Sequence, residues 1–88
     1  MDAFDMRKAS SRKSARTTFA QNLRTARRLR DISQEALALD AGLSRTYVSE
    51  VERGERNISI DNMGLLADAL KVSLRDLVDP EMLKKLDA

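Results

Sequence analysis

The 88-residue sequence has no cysteine, histidine or tryptophan, only one proline, and three glycines. Without cysteine there is no disulfide, and without cysteine and histidine the usual ligands of a structural zinc site are missing. The same two absences remove the commonest general base and the thiol nucleophile. Aspartate, glutamate, lysine, serine and tyrosine remain, so catalysis is disfavoured rather than excluded. No glycine-rich phosphate loop, metal-ligand cluster or nucleophile–base pair stands in the sequence, and the expectation is a non-enzyme without metal or cofactor. No apolar run approaches the ~18 residues of a membrane span, and no apolar stretch follows the basic N-terminus to make a signal peptide. These features fit a cytoplasmic protein of one domain, near the lower size at which a single core is comfortable.

What is present is charge, unevenly spread. The formal net charge is +2, yet residues 1–30 hold nine Lys/Arg against only Asp2 and Asp5. Residues 31–56 hold three Arg against six acids, and residues 57–88 four basic side chains against six acidic ones. A basic first third on a slightly acidic body suits a polyanionic partner. Residues 1–16 have few large apolar side chains and no helical stripe, and read as a flexible basic arm. Arg7, Lys8, Arg12, Lys13 and Arg16 can follow phosphates or enter a minor groove, or form no more than a solubilising tail.

Beyond the arm the periodicity is helical throughout, and residues 17–79 read as one domain. The T-x-x-Q spacing of Thr18 and Gln21 is a capping box that opens a first helix. Phe19, Leu23, Ala26 and Leu29 form its apolar stripe. Arg24, Arg27, Arg28 and Arg30 cluster in its second half, where cations complement the helix dipole and where some, Arg27 foremost, can contact phosphate. Ser59 caps a later helix with a core stripe of Ile60, Met63, Leu66, Ala67 and Leu70, leaving Leu65 off the stripe for a partner. Ser73 and Asp76 open a further helix with Leu74, Leu77 and Val78 on its apolar side. Pro80 ends it, and residues 80–88 are a short tail with at most one weak turn.

Between these lies the densest pattern, residues 34–54. Ser33 caps a helix over residues 34–41 whose buried face is Leu37, Ala38 and Ala41. Gly42 supplies the positive φ of a tight turn, and Ser44 caps a second helix over 45–53, closed by Gly54. Helix, tight turn, helix is the pattern of a helix-turn-helix, whose second helix enters a DNA major groove. At 100° per residue, Val48 and Val51 face inward while Arg45, Thr46, Ser49, Glu50 and Arg53 face outward. Arginine pairs bidentately with guanine, and serine and threonine suit several base edges. Tyr47 lies between the faces, and either packs beside Val51 or reaches DNA. Glu50 either accepts from a cytosine or pairs locally with Arg53, and the local pair is favoured. Gln34 stands at a helix N-terminus suited to a phosphate, and Arg56 and Asn57 can reach a base or phosphate from the following loop.

The motifs L-R-x-x-R, S-Q-x-x-L-A, A-G-L-S and V-x-x-V-E-R-G, in that order, resemble the lambda-repressor/Cro-like (Xre-type) family. Within it, S-R-T-Y-V-S-E-V-E-R-G-E-R-N-x-S-I-D-N over residues 44–62 looks like the controller proteins of restriction-modification systems. The resemblance implies an all-α, compact five-helix domain acting as a homodimer on double-stranded DNA, at a pseudo-palindromic operator, to regulate transcription. It matches Arg45, Thr46 and Ser49 to base readers, with Arg56 and Tyr47 added, and Gln34, Arg27, Arg53 and Asn57 to phosphate contacts. It places the dimer surface on the last helices, at Leu65, Leu74, Leu77 and Val78. Phage-type repressors and antitoxins share this core, and an antitoxin would use its apolar surface on a protein partner instead.

Overall fold

Serine opens the first five helices. The computed structural model describes residues 14–87, with side-chain surroundings as far as Lys85. The helices are α1 (Ala15–Leu29), α2 (Gln34–Ala41), α3 (Arg45–Glu52), α4 (Ile60–Leu70), α5 (Leu74–Leu77) and α6 (Met82–Asp87). Ser14, Ser33, Ser44, Ser59 and Ser73 precede α1 to α5 in extended conformation, and each hydroxyl accepts a backbone N–H from the first turn. A serine in this role contributes about 1 kcal/mol over alanine. Four of these caps match the sequence reading. The first does not: α1 begins at Ala15, three residues before Thr18, because the Ser14 hydroxyl takes the Thr17 N–H at 3.1 Å. Thr18 is a buried residue inside the helix. Residues 14–16 therefore belong to the folded unit, and residues 1–13, the rest of the basic arm, lie outside the described residues.

The helix ends repeat as regularly as the starts. Asp31, Gly42, Gly54 and Lys71 take positive φ values of 57°, 73°, 76° and 57°. After each, the next N–H reaches five residues back, from Ile32 to Arg27 O, Leu43 to Ala38 O, Glu55 to Glu50 O and Val72 to Ala67 O. This is the Schellman closure, which satisfies carbonyls that the helix leaves free. Glycine takes the left-handed conformation freely, whereas a residue with a Cβ pays roughly 1–2 kcal/mol for it. The strain therefore sits at Asp31 and Lys71.

The core between these helices is drawn from every long element. Leu23, Leu37, Val48, Leu66, Leu70 and Leu77 are wholly buried. α2 packs on α3 and α4, while α1 lies against α3, α4, α5 and α6. Two expected core residues are outside it: Leu29 is 67% exposed and Ile60 69% exposed. Each stands at a helix end, Leu29 as the last residue of α1 and Ile60 as the first of α4, where the stripe has run past the packed region. In their place α1 buries Asn22. Its Nδ2 donates to the carbonyls of Leu77 at 3.0 Å and Asp79 at 2.8 Å, tying α1 to the end of α5.

The described residues contain helices and no strand, and six helices rather than five. Residues 82–87, expected within a tail, form α6 beyond Pro80. Met82 is buried, and Lys85 Nζ holds Asp79 at 2.6 Å, so α6 is clipped back onto the body. The bond to Lys85 is the main reason the Asp79 carboxyl titrates below its usual range. No helix among the described residues is long and apolar enough to cross a membrane.

A Cβ at Gly54 would meet nothing within 4 Å, so the left-handed backbone alone opposes substitution there. Gly54→Ala is expected to lower stability by about 1 kcal/mol, and Lys71→Gly to raise it by somewhat less, since glycine loses more entropy on folding. Urea unfolding of the two variants beside the parent measures both.

Candidate nucleic-acid interface

α3 follows α2 after only three residues, Gly42, Leu43 and Ser44, and is fixed from behind by a carboxylate. Glu52, the last residue of α3, is 4% exposed, and its side chain is inaccessible to solvent. An isolated buried carboxylate is strongly disfavoured. Here Arg27 meets it with two bonds, Nε to Oε2 at 2.6 Å and Nη2 to Oε1 at 3.0 Å. Gln34 Nε2 adds a third bond to Oε1 at 3.0 Å. Arg27 Nη1 also donates to Ile32 O at 2.9 Å, so the guanidinium fastens α1, the loop before α2, and α3 together. The hydrogen bond to Glu52 is the largest reason that the Arg27 pKa is raised.

This arrangement corrects the reading of Arg27 as a phosphate contact. Its side chain is 12% exposed and its donors are engaged by Glu52 and Ile32. Arg24 is likewise occupied, with Nη2 donating to Glu52 O at 3.2 Å, and Arg30 Nη1 donates to Leu70 O at 2.7 Å. Arg24, Arg27 and Arg30 thus serve the helix ends around them. Glu52 was missed, although on the helical wheel it falls beside Val48, on the core side, with the arginine-rich helix as its available partner. Gln34 keeps its place at the first turn of α2, its amide oriented by Glu52.

The outward face of α3 is polar, as the wheel requires. Arg45 and Thr46 are exposed, and Ser49 is half-buried. Arg45 has an unfavourable position, because a cation at the first residue of a helix opposes the dipole, and α3 has no acid in its first turn to offset it. α2, α4 and α5 each carry one there, Glu35, Asp61 and Asp76. No hydrogen bond or ion pair of Arg45 occurs among the described residues.

The remaining polar residues pair with one another. Arg53 lies bidentate on Glu55, Nε to Oε2 at 3.0 Å and Nη2 to Oε1 at 3.1 Å, and its Nη1 donates to the Ser49 hydroxyl. The Arg53–Glu55 bond lowers the pKa of Glu55 and raises that of Arg53. Glu50 does not pair with Arg53, as the sequence reading favoured. It accepts instead from Arg56 Nε at 2.7 Å, because the Gly54 turn brings the loop back along the helix. Arg56 also lies over the Tyr47 ring, 4.9 Å from its centroid. Tyr47 is half-buried beside the core, and its hydroxyl accepts from Asn62 Nδ2 at 3.1 Å. Asn57 is exposed in the same loop.

Of the four residues expected at a dimer surface, Leu65 and Val78 are exposed and Leu74 is half-buried against the core. Leu77 is 0% exposed and belongs to the core of its own chain, so it offers nothing to a partner. On an α-helix, Leu74 and Val78 share a face and Leu77 lies apart from Val78 by 100°.

Removing one partner of a buried ion pair leaves the other unpaired, at a cost of about 3–5 kcal/mol. Arg27→Met is therefore expected to destabilise the protein by about that amount, and adding Glu52→Leu to recover much of it. Thermal or urea unfolding of the single and double variants tests the pair.

Comparison with known proteins places this geometry. Residues 23–77 match the helix-turn-helix family model. The control protein C.BamHI of Bacillus amyloliquefaciens is 45% identical over 65 residues, which are 73% of this chain and 80% of that protein. The crystal structure of the restriction-modification controller protein C.AhdI from Aeromonas hydrophila superposes with a TM-score of 0.69 at 47% identity, over 70% of this chain and 94% of that one. The controller protein C.Esp1396I, solved as a tetramer on its natural 35 base-pair operator, superposes with a TM-score of 0.72 at 28% identity, over 82% and 99%. With its motifs, its helices and these matches in agreement, the chain belongs to the lambda-repressor/Cro-like (Xre-type) helix-turn-helix family.

Proposed function

We propose that this protein is a sequence-specific, DNA-binding transcriptional regulator that works as a homodimer on a pseudo-palindromic operator, as the controller of a restriction-modification system. The observation that carries the reading is the outward face of α3, where an unpaired Arg45 stands beside Thr46 and Ser49 on a helix held rigidly from behind. α2 and α3 are the helix-turn-helix, and α3 is the helix that enters the major groove. Arg45, Thr46 and Ser49 read base edges, joined by Arg56 and Tyr47 from the flank of the helix. Gln34, Arg53 and Asn57 meet phosphates, Gln34 with the free N–H groups of the α2 N-terminus beside it. The operator-bound tetramer of C.Esp1396I supports DNA as the partner. Duplex DNA as target places the protein in the cytoplasm, and its work is binding rather than catalysis.

Two copies join through Leu74 and Val78 with Leu65, setting two α3 helices at half-sites about 34–36 Å apart. Selection of bound sites from random duplexes is expected to return a two-fold symmetric consensus. Arg45→Ala should lose roughly 1–3 kcal/mol at one position of that consensus and relax the preference there; an equal loss on every sequence would put Arg45 on a phosphate. Val78→Asp should leave the fold intact and yield a monomer by sedimentation, because Val78 is exposed in the single chain.

A further inference from the structure

The pairing of Glu50 with Arg56 has a definite geometry, and its chemistry is unusual for a surface that meets polyanions. A carboxylate at the centre of a DNA-facing helix repels phosphate unless it does something specific. Glu50 occupies one edge of the Arg56 guanidinium, accepting from Nε at 2.7 Å. The guanidinium carbon lies over the Tyr47 ring, 4.9 Å from its centroid. Tyr47 is itself held through its hydroxyl by Asn62 at the start of α4. The far edge, Nη1 and Nη2, makes no hydrogen bond among the described residues. Two parallel N–H donors on a fixed plane match the O6 and N7 acceptors of guanine in the major groove. A long arginine side chain in a loop would otherwise lose several free torsions on binding, and would meet a phosphate as readily as a base.

We infer that Glu50 is a positioning residue for base recognition: it holds Arg56 against Tyr47 with the Nη1/Nη2 edge presented, and so commits Arg56 to a guanine instead of the phosphate backbone. Glu50 itself touches no base. This rests on α3 being the DNA-reading helix. It adds a source of specificity that acts through another side chain, and it explains a carboxylate that major-groove docking alone would disfavour. Neutralising Glu50 therefore tightens binding to DNA in general while weakening the choice of sequence.

The test uses the full chain and the duplex consensus obtained by site selection, with single base-pair changes at each guanine. Glu50→Ala is expected to reduce discrimination at one guanine by roughly fivefold or more, the lower end for a bidentate arginine–guanine pair. Affinity for random duplex should rise together with its salt dependence, because Arg56 is released to a phosphate. Glu50→Gln, whose carbonyl can still accept from Nε, should recover most of the discrimination. In an Arg56→Ala background, Glu50→Ala should change discrimination at that guanine no further. Circular dichroism melting of each variant checks that the fold is kept. Unchanged discrimination at every guanine in Glu50→Ala would overturn the inference while leaving DNA reading by α3 intact. A parent protein that selects no sequence would instead overturn the reading beneath it.

Discussion

The outward face of α3 depends on a carboxylate that solvent does not reach. Glu52 is stable where it lies because Arg27 and Gln34 converge on it from two other elements, with Arg24 Nε 3.8 Å from Oε1. The donors match the acceptors well enough that no buried side-chain polar atom among the described residues lacks a partner. Such a cluster adds modestly to stability compared with an apolar core of the same volume, since desolvation offsets much of the attraction. What it adds is position. Hydrophobic contacts between α1 and α3 would tolerate sliding or rotation, whereas three hydrogen bonds to one carboxylate do not. The outward residues of α3 inherit that fixed orientation.

α1 extends the same logic along its length. Arg24, Arg30 and Asn22 send donors to the last carbonyls of α3, α4 and the α5 end in turn. The negative ends of three helices are thus met from α1 and the residue that closes it, with cations at two of them. A small domain with a limited core gains much from this. Of the side chains that the sequence assigned to phosphate, Arg27 and Gln34 turn inward to Glu52, while Arg53 and Asn57 stay at the surface.

The local features were legible in the sequence. Serines before apolar periodicity gave four of five helix starts, and Gly42 and Gly54 gave two of the four left-handed ends, because capping and turn chemistry act within a few residues. Asp31 and Lys71 in the same conformation were not legible, since neither residue type announces it. The roles of Arg27, Glu52 and Asn22 depend on partners 18 to 57 residues away, and that of Leu77 on a core drawn from several helices. A helical wheel says which way a side chain points and not what waits there. Arg27 therefore read as free when three of its donors are bonded to Glu52 and Ile32. The outward set of α3 read correctly as a face, but its internal pairing did not, because the turn at Gly54 decides which arginine Glu50 meets.

The brevity of the turn between α2 and α3 has a mechanical corollary. With three residues between them and Glu52 bonded to the first turn of α2, the two helices form one stiff wedge with no hinge of their own. When such a wedge meets a duplex whose groove width or path does not match it, adjustment falls to the softer body. Flexible steps such as TA and CA yield readily and A-tracts do not. An operator for a wedge of this kind is then selected partly by how it bends, at base pairs that no side chain touches.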